Sequence, residues 1–198
     1  MASLEKTGVM AALNPKQDPG FPIDRPIVLV GMMGAGKTTV GRRLAKALGL
    51  AFRDADAEIE KAAGMSVSEL FEKHGEASFR QGEAKVIARL LAGAPIVLAT
   101  GGGALTNAAT RALIRDKGVS IWLRADVDTL VRRATRRPTR PLLKNGDPRE
   151  TIARLLSERT PFYAEATLTI DSQPGAHNRT VAAILGALAA HSTSRTGA

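Results

Sequence analysis

Gly31-Met32-Met33-Gly34-Ala35-Gly36-Lys37-Thr38 is the stretch that decides how this chain must fold. Four apolar residues, Ile27-Val28-Leu29-Val30, run straight into it, and Val40, Leu44 and Leu48 follow at intervals of four before Gly49. That interval puts the three side chains on one helix face, and a glycine just beyond them is a stop signal. Strand, glycine loop and helix in immediate succession form the setting in which G-x-x-x-x-G-K-[ST] binds phosphate. Glycines let successive backbone N–H groups turn inward and crowd against phosphate oxygens, where a Cβ would obstruct them. The N-terminus of the following helix adds positive potential. Lys37 can bridge the β- and γ-phosphates of a nucleotide, and the Thr38 hydroxyl can ligate Mg²⁺. A glycine-rich turn with a merely solvated lysine would need neither the strand before it nor the amphipathic helix after it.

Outward from this loop, short apolar runs alternate with helical patterns. Leu50–Arg53, Ile96–Ala99, Val119–Leu123 and Thr167–Ile170 read as further strands, each bounded by Gly, Pro or polar residues. Helical stretches are expected at Ala57–Ala62 and near 78–91, 107–117, 126–136, 147–160 and 176–190. Apolar strands separated by helices imply a parallel sheet covered on both faces. The expected fold is a three-layer α/β/α domain with about five parallel strands. Residues 1–25, rich in proline and without sustained periodicity, read as a flexible leader, residues 26–190 as the folded domain and residues 191–198 as a disordered tail.

Composition narrows the partners. The chain of 198 residues has a mean hydropathy near zero and no window close to ~20 consecutive apolar residues, so no membrane association is expected. The start MASLEKTGVMAALNPKQDPGFP lacks a basic region followed by an apolar one, which argues against a signal peptide. With no cysteine there is neither a disulfide framework nor a thiolate metal site, in keeping with a cytoplasmic location. The net charge of +9 fits either nucleic acid or small, highly anionic ligands. Aromatics are only 4% of the chain and are not interleaved with basic residues, which favours the small anions and no nucleic-acid partner.

Five further segments carry candidate chemistry. Asp54 and Asp56 follow the second strand, where open α/β sheets place their ligands. One could hold Mg²⁺ and the other orient or deprotonate an acceptor hydroxyl, although either could also cap the next helix. In Phe79-Arg80-Gln81-Gly82-Glu83 the Arg and Glu are three apart on a helix, so Glu83 can hold the Arg80 guanidinium at a fixed angle for a bidentate grip on a carboxylate. A surface ion pair of little value is the plainer alternative. Gly101-Gly102-Gly103 after a strand suggests a backbone approach that side chains would forbid. Five arginines lie among residues 132–140, and this run into Pro138 and Pro141 suits a mobile lid over residues 133–147. Arg159 precedes Pro161, which is expected to end its helix.

Taken together and in order, these segments resemble the shikimate kinase family. The resemblance rests on the phosphate loop with Thr39-Val40-Gly41, on Asp54-Ala55-Asp56 with Ile59-Glu60, and on Phe71, Gly75-Glu76 and Phe79 to Glu83. It continues through Gly101 to Gly103, Arg140-Pro141-Leu142-Leu143 and Arg159-Thr160-Pro161-Phe162-Tyr163. It implies a cytoplasmic, monomeric kinase that uses ATP and Mg²⁺ to phosphorylate the 3-hydroxyl of shikimate. By the same resemblance Gly34, Ala35, Gly36, Lys37, Thr38 and Thr39 would cradle ATP, with Arg133 and Pro174 at the adenine. Thr38 and Asp54 would hold the metal. Asp56, Arg80, Gly101, Gly102, Gly103 and Arg159 would bind shikimate, and Lys37, Asp56 and the lid residue Arg140 would act in the transfer. Two other readings stay open on the residues alone: another small-molecule P-loop kinase, such as a gluconate or nucleoside monophosphate kinase, and a catalytically silent nucleotide- or nucleic-acid-binding module.

Overall fold

The structure, a computed structural model, describes residues 20–136, 141–143, 146–172 and 177–196. Its sheet comprises β1 (Ile27–Val30), β2 (Ala51–Asp54), β3 (Ile96–Ala99), β4 (Val119–Arg124) and β5 (Leu168–Asp171) in the order β2-β3-β1-β4-β5, with every pairing parallel. The helices are α1 (Lys37–Leu48), α2 (Ala55–Ala63), α3 (Val67–Leu91), α4 (Ala108–Lys117), α5 (Val127–Ala134), α6 (Pro148–Tyr163) and α7 (His177–Thr196). This is the α/β fold that the alternation of apolar runs and helical patterns implies.

β1 lies at the centre and is buried at all four positions, so a strand apolar on both faces is what the layering demands. The outer strands β2 and β5 alternate between half-buried and exposed residues, because an edge strand is covered less completely. From β1 the chain goes to the edge strand β2, returns inward to β3 and then crosses β1 to β4 and β5. Sheets of this kind hold ligands beyond the carboxyl ends of their strands where the strand order changes side. Register brings the strand ends level: Asp54 pairs with Ala99, and Ala99 with Leu29. The loops after β1, β2 and β3 therefore emerge side by side.

Four local details differ from the sequence reading. α3 begins at Val67, eleven residues before the helix expected near 78, and bends at Gly75, whose φ of 74° leaves the helical region. Its start was legible: Ser66 and Glu69 form a reciprocal capping box, Ser-x-x-Glu. α6 continues past Pro161 to Tyr163, because the ring falls in the last turn and only the bond to the Ser157 carbonyl is lost. α7 runs on to Thr196 where a tail was expected, and the Thr193 and Ser194 hydroxyls donate to the Ala189 and Ala190 carbonyls. At the other end, Phe21 and Ile23 of the expected leader pack against the core, and the Arg25 guanidinium donates to the Arg115 and Asp116 carbonyls at the end of α4.

Packing between α1 and β2 generates a test. Gly41 has ordinary helical geometry, so Gly41→Ala should gain about 1 kcal/mol of helix propensity. A Cβ there would sit 2.6 Å from Phe52 Cε2 and 3.1 Å from Leu29 Cδ1. Overpacking of that kind costs about 1–3 kcal/mol and should win. Urea unfolding should show Gly41→Ala less stable than the parent, with stability recovered on adding Phe52→Leu; a stabilised single variant would mean that the ring moves aside freely.

Candidate active site

The phosphate loop bends back on itself through glycines that nothing else could replace. Gly31 and Gly34 have φ of 129° and 84°, and a Cβ on either would lie within 2.7 Å of a backbone carbonyl, that of Leu123 or Leu130 respectively. Gly36, at φ 93°, caps α1, so the first N–H groups of that helix face the loop's concavity without intrahelical acceptors. Lys37 is buried, and its Nζ donates to the Gly31 and Met32 carbonyls at 2.7 and 2.9 Å. The ammonium thus lies folded over the loop it would serve. Met32 belongs to the core and offers no surface to a ligand.

Thr38 Oγ1 donates to Asp54 Oδ2 at 2.8 Å, which ties the start of α1 to the end of β2. Asp56 lies in the first turn of α2 and is the most perturbed acid of the site. Burial pushes its pKa up to about 6, Asp54 and Glu83 add to the rise, and Lys37 and Arg80 oppose it. Those four neighbours come from α1, β2 and α3, so convergence on Asp56 is three-dimensional and not a local run of charges.

The turn after β3 is the meeting point. Thr100 pins it to β1, donating from both N and Oγ1 to the Leu29 carbonyl. A Cβ on Gly101 would fall 2.5 Å from Glu83 Oε1 and 3.1 Å from Asp56 Oδ1. One on Gly102 would be 3.2 Å from the Met33 N and 3.6 Å from Arg159 Nη1, and one on Gly103 would overlap the Arg80 guanidinium. Asp56, Arg80, Arg159 and the three glycines are therefore neighbours around one point.

Arg80 is held from several sides. It donates to Glu83 Oε2 at 2.7 Å and Glu76 Oε1 at 2.9 Å, and it stacks over the rings of Phe71 and Phe79. Burial works against its charge, but the two glutamates outweigh that and hold its pKa above the usual value. Burial also raises Glu83 despite the arginines beside it. Arg80 Nε, Glu83 Oε1 and Arg159 Nη1 are all buried without a hydrogen-bond partner. Such atoms are costly unless a ligand completes them. Two cationic donors and an acceptor around a glycine turn suit a carboxylate that carries hydroxyl groups.

Arg133 occupies the other side of the phosphate loop, donating to the Gly34 carbonyl at 3.3 Å and Ser172 Oγ at 3.2 Å, and burial lowers its pKa. Ser172 in turn donates to the Ala35 carbonyl, so it braces both; nothing in its sequence surroundings singles it out. Tyr163 was also missed as part of the site, because Pro161 suggested that the helix stopped short of it. Arg140 and Pro174 lie outside the described residues, as do parts of the expected lid. Among the described residues there is no cluster of three His, Cys, Asp or Glu side chains that could bind a metal alone, and no helix is long and apolar enough to cross a membrane.

Comparison with known proteins agrees with this geometry. The family profile "Shikimate kinase" matches residues 33–189. A shikimate kinase of Bradyrhizobium diazoefficiens is 58% identical over 84% of this chain and 81% of its own length, and one of Caulobacter vibrioides is 56% identical over 83% and 82%. The structure of shikimate kinase from Acinetobacter baumannii in complex with shikimate superposes with a TM-score of 0.82 at 40% identity, covering 85% of this chain and 94% of that one. A gluconokinase from Sinorhizobium meliloti, at 20% identity and a TM-score of 0.62, shares the fold alone.

The raised pKa of Asp56 predicts a stability effect whose sign can be worked out. Its folded value of about 6 exceeds the ordinary 3.8, so folding favours the protonated acid. That contribution is complete below pH ~4 and is lost as pH rises through ~6. At pH 8 the buried carboxylate costs roughly 2–3 kcal/mol. In ligand-free protein, Asp56→Asn should therefore raise the denaturation midpoint at pH 8 and give little gain at pH 4. An equal gain at both pH values would contradict the assignment.

Proposed function

The chain belongs to the shikimate kinase family, and from that premise we propose how its own residues divide the transfer of a phosphoryl group from ATP to the 3-hydroxyl of shikimate, giving shikimate 3-phosphate and ADP. The observation that carries the division is the grouping of Asp56, Arg80 and Arg159 around Gly101 to Gly103, with buried donor nitrogens on both arginines left without partners.

Nucleotide binding falls to the loop. The backbone from Gly34 to Thr39 and the N-terminus of α1 would surround the β- and γ-phosphates, while Lys37 exchanges its two carbonyl acceptors for phosphate oxygens. The gain of charge at the acceptors makes that exchange favourable. Arg133, packed on Gly34, would meet the base end of the nucleotide. Thr38 and Asp54 fit Mg²⁺: they present a hydroxyl and a carboxylate 2.8 Å apart, both hard oxygen donors, and the lack of a third protein ligand in a described cluster is usual for a cation completed by phosphate and water. When bound, the ion would neutralise phosphate charge.

The acid substrate is placed by the opposite wall. Arg80 and Arg159 would grip its carboxylate from two sides, and Glu83 Oε1 and the turn backbone would receive its hydroxyls. Asp56 lies between this wall and Lys37, close enough to feel both, where it can orient the reacting hydroxyl and accept its proton. An acid pushed towards neutrality is a better proton acceptor than an ordinary aspartate once ionised. Positioning and charge stabilisation supply most of the acceleration in such transfers.

Coupled detection of ADP should show ATP consumption that depends on shikimate, with neither gluconate nor a nucleoside monophosphate replacing it. Turnover with gluconate at a comparable rate would move the chain to another acceptor class. Arg80→Ala should raise the KM for shikimate about 10–100-fold, the size of a lost charge-assisted contact, and leave that for ATP within about twofold. Equal increases in both would argue against a carboxylate at Arg80. Lys37→Ala should lower kcat by about 10³-fold with the fold intact.

A further inference from the structure

Tyr163 shares one face of α6 with Arg159, a single turn further on, and both are buried, at 1% and 5% exposure. Its phenol donates to the Gly102 carbonyl, and the positive charge of the Arg159 guanidinium bears on the same oxygen. The ring leans on Trp122 of β4, 5.8 Å between centroids. One hydroxyl therefore ties the glycine turn to the helix that carries Arg159, while the ring anchors both to the sheet. Burial pushes the phenol pKa up to about 12, so the proton stays available for Gly102 at any working pH. The helix needs such a tie here, because Pro161 has already removed one of its last backbone bonds.

We infer that Tyr163 is a positioning residue for the acid substrate, which holds the Gly102 peptide and the Arg159 guanidinium in the mutual orientation that leaves Arg159 Nη1 aimed at the ligand. The inference rests on the reading that Arg159 grips the carboxylate. Nη1 lies 3.6 Å from where a Gly102 Cβ would be and has no partner, so its direction is set by what packs around the guanidinium. Without the hydroxyl, a buried carbonyl loses its donor and the buried Arg159 cation loses a neighbouring dipole, so the turn and the guanidinium would both reorient. The phosphate loop meets this tie through the Met33 N and Gly31 carbonyl beside Gly102, but neither the Lys37 ammonium nor the start of α1 bonds to it, so nucleotide affinity should change little.

Tyr163→Phe keeps the ring against Trp122 and removes only the oxygen. Calorimetric titration should show shikimate bound at least tenfold more weakly by Tyr163→Phe, with a non-hydrolysable ATP analogue bound within twofold of the parent. Tyr163→Trp, which keeps a donor on a different frame, should not restore shikimate affinity. Arg159→Ala is the control for the underlying reading. If Arg159→Ala weakens shikimate and Tyr163→Phe does not, the positioning role fails while the reading stands; if Arg159→Ala changes nothing, the reading fails and takes the inference with it. Equal weakening of both ligands by Tyr163→Phe would mark a general structural role and overturn the inference. Tyr163 is also the chain's sole tyrosine, so growth on 3-fluorotyrosine places one ¹⁹F nucleus there without mutation. Saturating shikimate should shift that resonance and the ATP analogue alone should not; a resonance unmoved by shikimate would overturn the inference independently of how the variants fold.

Discussion

Four charged side chains from three helices press on a turn that has no side chains of its own: Asp56 and Glu83 against Gly101, Arg159 against Gly102, and Arg80 against Gly103. Glu83, Asp56 and Arg80 come closer than a Cβ would comfortably permit, and Arg159 would touch one, which makes the turn a gauge of the whole site. It is fixed to the central strand through Thr100 and Leu29, and that strand leads directly into the phosphate loop. A shift of the turn would move the groups proposed to bind the acid and the nucleotide relative to one another. Register within a close-packed parallel sheet prevents that shift, since Leu29, Ala99 and Asp54 are locked side by side.

The electrostatics follow from the same crowding. Bringing Asp56 and Glu83 out of water raises both, and the arginines beside them offset only part of the cost. Orphaned nitrogens on Arg80 and Arg159 add to it. A site tuned for a ligand carries such groups at the expense of stability in the ligand-free state, and the core supplies the margin. Central β1 and its neighbours, with Val28, Leu29, Leu98 and Ile121 wholly buried, form the part of the fold that can tolerate the strain.

Most of the fold could be read from the residues because its signals are local. Ile27–Val30, the glycine loop and the interval of four in α1 each declare one element without reference to the rest, and the five strands follow the same logic. The errors arose where a local rule met a tertiary one. Pro161 signals a stop, yet Tyr163 is held by Trp122 and Gly102 strongly enough for the helix to continue. His191 to Ser194 look like a polar end, yet they extend α7 past the point where its apolar face ends. The first turns of α3 were announced by Ser66 and Glu69 and overlooked beside the stronger pattern that follows. For the site, residue types and order were legible, whereas the mutual approach of Glu83, Arg159 and the glycines depends on sheet order and could only be seen in three dimensions. Ser172, which braces Arg133 against the loop, left no trace in the sequence.

The central claim is spatial, so the most direct measurement is a crystal structure of the complex with ADP and shikimate. The account predicts the carboxylate of the acid within about 3 Å of guanidinium nitrogens from both Arg80 and Arg159, its ring over Gly102, and its 3-hydroxyl at Asp56 facing the phosphate loop. A carboxylate bound elsewhere, or a ring reversed so that Asp56 meets no hydroxyl, would contradict it.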